Sequence, residues 1–340
     1  MPTIKDVAKE AGVSIATVSY VLNNKTHLVG KDTRQEVLDA IKRVGYTPNI
    51  TARNLKASQT RLIGYAWHRV PNDETNPLLD GFAYFLAQAA EAVNYHLLTF
   101  THADDDPIPV YNEMIRTQRV DGFVLSGTVA DDARIRFLTN EGFPFVSFGR
   151  SNPGWAFNWV DTDGKVGVQT AVEYLISLGH QRIAMVAWPE ESVTGNYRLY
   201  GYIEAMQAAG LPVHDGYLQR GENEETAGAN ALNQWLQLPN DIRPTAAIAI
   251  TDIVAIGLMR EAERQGVQIP TDFSVIGFDD APMSQYVHPA LTTLRQAIPQ
   301  TGQALMTILE ALLNKTEPKE AHILITPRLI LRETCAPPLR

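Results

Sequence analysis

The sequence predicts a multi-domain chain: a small all-α headpiece followed by a larger α/β body built as two facing lobes with parallel sheets. Three observations carry this. Helical spacing with short polar breaks fills the stretch before Gly45. From Arg61 onward short apolar runs alternate with longer helical segments, the βαβ pattern of parallel sheets covered on both faces. The charge divides at the same place. Residues 1–61 carry ten Lys/Arg and five Asp/Glu, a net +5, which leaves −14 for the remainder of a chain whose net charge is −9. A basic head on an acidic body suggests that the head alone meets a polyanion.

Thr3 to Asn23 reads as two short helices joined by a tight turn. Thr3 with Asp6 three residues later forms a capping-box-like start. Val7, Ala8 and Ala11 share one face, Gly12 breaks the helix, and Ser14 caps the next. There Val18, Val21 and Leu22 form a buried face. The opposite face presents Ile15, Ala16, Ser19 and Tyr20, with Thr17 beside them. A helix with an apolar rear and small or polar front residues suits the major groove, where base edges are read. An ordinary helical hairpin is the other reading of this stretch alone. Asn24 to Lys31 is a polar loop. A third helix follows from Asp32–Thr33 to Val44, with Val37, Leu38, Ile41 and Val44 buried and Gly45 suited to the left-handed position after it. Asn49 to Ala57 is a short helix or a plain linker. Were it a folding hinge, Leu55 would pack on a second subunit or wedge between base steps.

The candidate strands of the body are Leu62–Ala66, His96–Thr101, Gly122–Ser126, Phe143–Phe148, Arg182–Ala187, Ala246–Ile250 and Ser274–Phe278. Its candidate helices are Leu78–Asn94, Val110–Gln118, Asp131–Glu141, Asp163–Leu178, Asn196–Ala209, Glu224–Gln237, Asp252–Gln265 and Pro299–Leu313. The series is long enough for two lobes, with Val160–Asp163 as the first crossing between them. Ligands of such folds lie at the carboxyl ends of the strands.

Composition narrows the function classes. A chain of 340 residues that is 45% hydrophobic and 8% aromatic is globular and holds two or three domains. The one cysteine, Cys335, excludes an internal disulfide framework and fits a reducing compartment. No apolar run spans a bilayer, and Lys5, Asp6, Lys9 and Glu10 interrupt the N-terminus, so the expected location is the cytoplasm, away from membranes. No dinucleotide, P-loop or nucleophile-elbow motif is present, and the eight His are scattered. No catalytic residue, metal site or cofactor is expected.

Four blocks in order resemble the lactose/galactose-repressor family of bacterial transcription regulators. They are Thr3-Ile4-Lys5-Asp6-Val7-Ala8 with Ala11-Gly12-Val13-Ser14, Thr17-Val18-Ser19 and Val21-Leu22-Asn23; Tyr46-Thr47-Pro48-Asn49 with Ala52-Arg53-Asn54-Leu55; Leu178-Gly179-His180 with Arg182-Ile183 and Arg198-Leu199-Tyr200-Gly201-Tyr202; and Gly277-Phe278-Asp279-Asp280. The resemblance covers the whole chain. It implies a helix-turn-helix headpiece (1–48), a hinge (49–60) and a periplasmic-binding-protein-like sensor of two Rossmann-like lobes (61–340). The first lobe is expected at 61–160 and 294–323, the second at 161–293 and 324–340. It further implies a homodimer on near-palindromic double-stranded operator DNA, acting most simply as a repressor under allosteric control by a small molecule. The rival classes are a sugar-binding protein without DNA, against which the basic headpiece counts, and an enzyme on the same scaffold, against which the missing motifs count.

The resemblance places base readout at Ile15, Ala16 and Tyr20, with apolar contact to thymine methyls. The alternative is that Ile15 packs inside the headpiece. Ser14, Thr17, Ser19 and Asn23 suit phosphate positioning, and Thr3 is a further DNA-binding candidate. His27 is a loop candidate. Ala52, Leu55 and Lys56 match the hinge positions, with Leu55 the intercalating leucine. Arg198 and Asp279 match the family's ligand-binding Arg and Asp, a fork of donors and an acceptor suited to a polyol. A structural ion pair is the other reading. The remaining effector candidates are Trp67, Asn76, Leu78, Ser126 and Arg150 from the first lobe, with Trp155 and Trp188 in loops nearby, and Asn223 and Asp252 from the second. Two departures stand out. Thr251-Asp252 replaces a frequent Asn-Asp, and Asn223 stands where relatives often place an aromatic. A mono- or disaccharide is the preferred effector class, a purine the alternative. The C-terminus has no leucine heptads, so a dimer is expected rather than a tetramer.

Overall fold

The computed structural model describes residues 2–22, 25–47, 59–67, 76–103 and 106–339. The expectations at Asn23 and for the hinge, with Ala52, Leu55 and Lys56, lie outside the described residues. The chain divides into two compact units, Met1–Thr60 and Arg61–Arg340.

The first unit holds Ile4–Glu10 (α1), Ile15–Leu22 (α2), a 3-10 turn at Thr26–Leu28 and Lys31–Val44 (α3). Asp6 Oδ2 accepts from both the backbone N–H and the hydroxyl of Thr3, each at 2.8 Å, which fixes the start of α1. Ser14 Oγ accepts the N–H of Thr17 at 3.1 Å and opens α2. Gly12 (φ +64°) and Gly45 (φ +67°) take the left-handed conformation that ends α1 and α3 at little cost for glycine. Val7, Ala8, Val18, Val21, Val37 and Ala40 form the shared core. One expected core residue is displaced: Leu38 is exposed. The stripe of α3 runs Val37, Ala40, Ile41, Val44, and Leu38 lies about 100° round the helix from Val37.

The second unit contains two six-stranded sheets. The first is built from Leu62–Ala66 (β1), His96–Phe100 (β2), Gly122–Leu125 (β3), Phe145–Phe148 (β4), Trp159–Thr162 (β5) and His322–Ile325 (β11), in the order β11-β5-β4-β3-β1-β2, with every pair parallel. The second is built from Ile183–Ala187 (β6), Leu218–Arg220 (β7), Ala246–Ala249 (β8), Ser274–Asp279 (β9), Thr292–Arg295 (β10) and Arg328–Ile330 (β12), in the order β12-β10-β9-β8-β6-β7. Only β10–β12 among these pairs is antiparallel. The helices are Pro77–Ala92 (α4), Ile108–Arg116 (α5), Ala133–Glu141 (α6), Gly164–Ser177 (α7), Val193–Ala208 (α8), Glu225–Leu236 (α9), Asp252–Gln265 (α10) and Ile298–Leu313 (α11).

Strands β3, β4, β6 and β8 are buried along their whole length, as parallel strands covered on both faces must be. In the first lobe the two faces carry separate cores. One gathers Ile63, Tyr65, Phe82 and Leu86 with Leu305 and Leu309 of α11; the other gathers Tyr111, Phe123, Leu125, Ile135 and Leu138. In the second lobe α9 and α10 meet at their backbones. A Cβ on Gly228 would lie 1.9 Å from the Val254 carbonyl oxygen, and one on Gly257 would lie 2.0 Å from that of Glu225.

Five strands were not expected from the sequence: β5, β7, β10, β11 and β12. Each carries a charged or strongly polar residue within its three or four positions, so none shows the apolar run that marks the equally short β3, β4 and β8, and β11 (HILI) and β12 (RLI) are only half-buried. The expected lobe boundaries at 160/161, 293/294 and 323/324 fall inside β5, β10 and β11. The chain instead crosses between sheets after Thr162, after Arg295 and between Ile325 and Arg328. Each strand completes its own sheet before the crossing, because a ladder broken midway would leave buried backbone groups unpaired.

Candidate DNA-reading face and effector cleft

On α2 the face opposite the core is open. Ile15 is 45% and Tyr20 38% exposed, and Ser14 and Ala16 are exposed beside them. Ile15 is therefore outside the headpiece core, and the packing alternative is removed. Thr17 and Ser19 are half-buried, and His27 is exposed on the 3-10 turn. The hydroxyls of Ser14 and Thr17 pair at 2.9 Å, and that of Thr3 is engaged by Asp6.

In the second unit the ends of several strands assemble a charged cluster at the lobe junction. Arg198, on α8, is buried. Its Nη1 donates to the Ile250 carbonyl at 2.6 Å, and its guanidinium carbon stands 3.5 Å from the Phe278 ring centroid. Its Nε has no hydrogen-bond partner among the described residues. A Cβ on Gly164 would come within 2.8 Å of the Arg198 side chain, so glycine at the start of α7 makes room for it. Burial lowers the Arg198 pKa, opposed by the charges of Asp279 and Asp161.

Asp279 ends β9 at φ +117°, a strained backbone for a non-glycine residue of the kind found at functional sites. Half-buried yet ringed by protein, its carboxyl is pushed up to about 6 by burial, with Arg198 pulling the other way. Gln296 Nε2 donates to Asp279 Oδ1 at 2.7 Å, while the Gln296 Oε1 accepts from Thr162 Oγ1 at 2.5 Å. This relay joins two of the crossings to the acid. From the first lobe, Arg150 Nε donates to buried Asp161 at 2.7 Å, and burial raises the Asp161 carboxyl. Each positive charge in the cluster thus has a carboxyl neighbour in the protein.

The structure brings together Arg150, Arg198 and Asp279 from the sequence-based set. Asn223 is tied to the same region, since it accepts from Thr251 Oγ1 at 2.7 Å, next to Ile250. Trp67 follows β1 and is 37% exposed, edge-on to Tyr65. Four expected residues are turned inward. Asp252 is fully buried, and its two oxygens accept from Ala281 N–H (2.6 Å), Ser284 Oγ (2.5 Å) and Thr293 Oγ1 (2.5 Å). It knits α10 to the segments flanking β9, and burial together with the Asp279 charge raises its carboxyl to about 7. Ser126 is buried and donates to the Tyr65 hydroxyl at 3.1 Å. Asn76 caps α4 by accepting from Leu79 N–H at 3.3 Å, and Leu78 packs on the first-lobe core. Of the loop tryptophans, Trp155 lies under Arg136 and Trp188 against Gly195.

Sequence reasoning missed Asp161, Gln296, Tyr197 and Phe278. Asp161 sits in a strand read as a crossing. Gln296 has no local signal, because its role comes from two distant segments.

The comparisons agree with this architecture. The profile described as "Bacterial regulatory proteins, lacI family" matches residues 3–49, and "Periplasmic binding protein-like domain" matches 172–335. The HTH-type transcriptional repressor PurR of Mannheimia succiniciproducens is 34% identical over 343 residues, covering 98% of each chain. This chain belongs to the lacI family of bacterial regulatory proteins. It is a DNA-binding transcriptional repressor and not an enzyme. Among solved structures, a LacI-family regulatory protein from Chloroflexus aggregans is 46% identical, with TM-score 0.78, over 81% of this chain and 99% of its own. The regulator CelR in complex with cellobiose is 28% identical over 98% and 100%, with TM-score 0.74. The lac repressor dimer bound to operator and the anti-inducer ONPF is 26% identical over 98% and 99%, with TM-score 0.80.

Proposed function

We propose that this repressor's affinity for a near-palindromic operator is set by a small uncharged polyhydroxylated molecule, a mono- or disaccharide, held between the lobes of each subunit of a cytoplasmic homodimer. The observation that carries the reading is the cluster of Arg198 and Asp279 with its charge already balanced. Arg150 is answered by Asp161, and Arg198 by Asp279 and Asp161. A charged ligand would upset that balance, whereas hydroxyls use the remaining donors and acceptors. The cellobiose complex of CelR supports this class. The effector biases lobe closure and so the spacing of the headpieces, with a coupling of about 1–3 kcal/mol. Within the headpiece, Ile15, Ala16 and Tyr20 read bases, and Ser14, Thr17, Ser19 and His27 serve phosphates. A purine is the second reading, favoured by the relative named PurR.

A thermal-shift screen of the full chain against sugars, nucleobases and nucleosides tests the class. A ligand at a hundred times its dissociation constant stabilises the folded state by about 2.7 kcal/mol, a shift of several degrees. A sugar is expected to give that shift. A shift from purines with none from sugars would overturn the saccharide reading.

A further inference from the structure

Arg150 belongs to the first lobe but lies on the second. It follows β4, and its Nε is anchored on Asp161 of β5, which is itself buried. Only 13% of the Arg150 side chain remains exposed. Its guanidinium carbon stands 5.6 Å from the ring centroid of Trp159, on β5, and 3.5 Å from that of Tyr197, on α8 of the other lobe. Trp159 is stacked in turn on His322 of β11, with centroids 4.7 Å apart and planes 12° from parallel. His322 Nε2 is held 3.0 Å from the Phe157 carbonyl. A column of planar groups therefore runs from the edge strand of the first sheet, through Trp159 and Arg150, to the second lobe.

We propose that Arg150 is an interlobe strap, which holds the lobes together in the absence of effector through its stack on Tyr197. The anchor cannot travel: the guanidinium is tied to a buried carboxylate and backed by Trp159, so it stays with the first lobe. The stack on Tyr197 is short-ranged and partly shielded from water, the condition in which a cation over a ring is strongest. Lobe opening must break this contact, and closure remakes it. The Tyr197 hydroxyl is not needed, because the ring face is what Arg150 covers. The regulatory meaning of the strap rests on the cleft being the effector site. Its existence does not, and the test uses the ligand-free protein so that the two fail separately.

Pulsed electron double resonance on the full chain measures the interlobe distance directly. Nitroxides are placed at Glu141→Cys and Gln207→Cys, exposed positions on α6 and α8, in a Cys335→Ser background diluted with unlabelled chain. Tyr197→Leu and Arg150→Lys remove the stack from either side, and Tyr197→Phe keeps it. Each disruptive variant is expected to lower the closed-to-open ratio about tenfold and reveal a longer distance, with Tyr197→Phe following the wild type. Distance distributions of Tyr197→Leu and Arg150→Lys that superimpose on the wild type overturn the strap. So does a Tyr197→Phe protein as open as Tyr197→Leu.

Discussion

The two rims of the cleft differ in what their polar side chains still have to offer. On the first-lobe rim, Ser126 gives its hydroxyl to Tyr65, Asn76 caps its own helix, and Arg150 is clamped by Asp161. On the second-lobe rim, among the described residues, Arg198 keeps an Nε without a partner, and Asp279, whose own backbone is strained, receives a hydrogen bond on one oxygen from Gln296 Nε2. Each of these first-rim groups is tied to the protein, while the second rim keeps a buried donor without a partner among the described residues. Within the second lobe the same contrast separates two acids. Asp252 answers three donors, while among the described residues the Asp279 carboxyl answers Gln296 alone. A carboxylate saturated by its own fold is structural, however well its sequence position matches a ligand motif.

The contrast breaks most visibly at Asp252. Asp252→Ala leaves the Ala281 N–H and the Ser284 and Thr293 hydroxyls without their acceptor, and urea denaturation should show a loss of about 3 kcal/mol or more. A variant of wild-type stability that had lost only its effector response would put Asp252 on the ligand side. Gly228→Ala is expected to cost about 1–3 kcal/mol by forcing α9 off α10, read as a lower melting temperature with effector affinity retained. For Asp279 the expected effect is on pH dependence. Burial holds its carboxyl near 6 and that of Asp252 near 7, above the ordinary carboxylate value. The unfolded chain gives up these protons first. The stability that both acids contribute is therefore complete below about pH 4 and lost as pH rises through 6 and 7. Affinity for an effector whose hydroxyls donate to Asp279 should rise over the same range. Calorimetric titration between pH 5 and 7 checks this, and Asp279→Asn should flatten the profile. The smallest effect belongs to the headpiece, where Asp6→Ala removes the capping acceptor and should lower its melting temperature only slightly.

How much of this was legible in the sequence depended on the range of the interactions. The headpiece was legible because its determinants are local: Thr3 with Asp6, Ser14 with Thr17, and the glycines at 12 and 45. Even there Leu38 went astray, since one apolar residue on a short helix can sit beside the buried stripe instead of in it. The fully buried strands were legible as apolar runs, and their helices from periodicity. The short strands at the lobe crossings were not, and with them Asp161 and Gln296 were missed. Gln296 matters because it touches Thr162 and Asp279, residues 134 and 17 positions away. Arg198 and Asp279 are effector candidates through a motif. Whether Asp252, Ser126 and Asn76 turn toward a ligand or toward the protein depends on neighbours that spacing does not specify.

Operator affinity is proposed to be governed from the cleft through Arg198. The decisive measurement is operator binding by the full chain, with and without the sugar identified by thermal shift, for wild type and Arg198→Ala, on a DNA fragment selected by the wild-type protein. Wild-type affinity should change at least about fivefold on adding the sugar. Arg198→Ala should bind the operator as the wild type does and show no change. An Arg198→Ala protein that still responds fully would contradict the account.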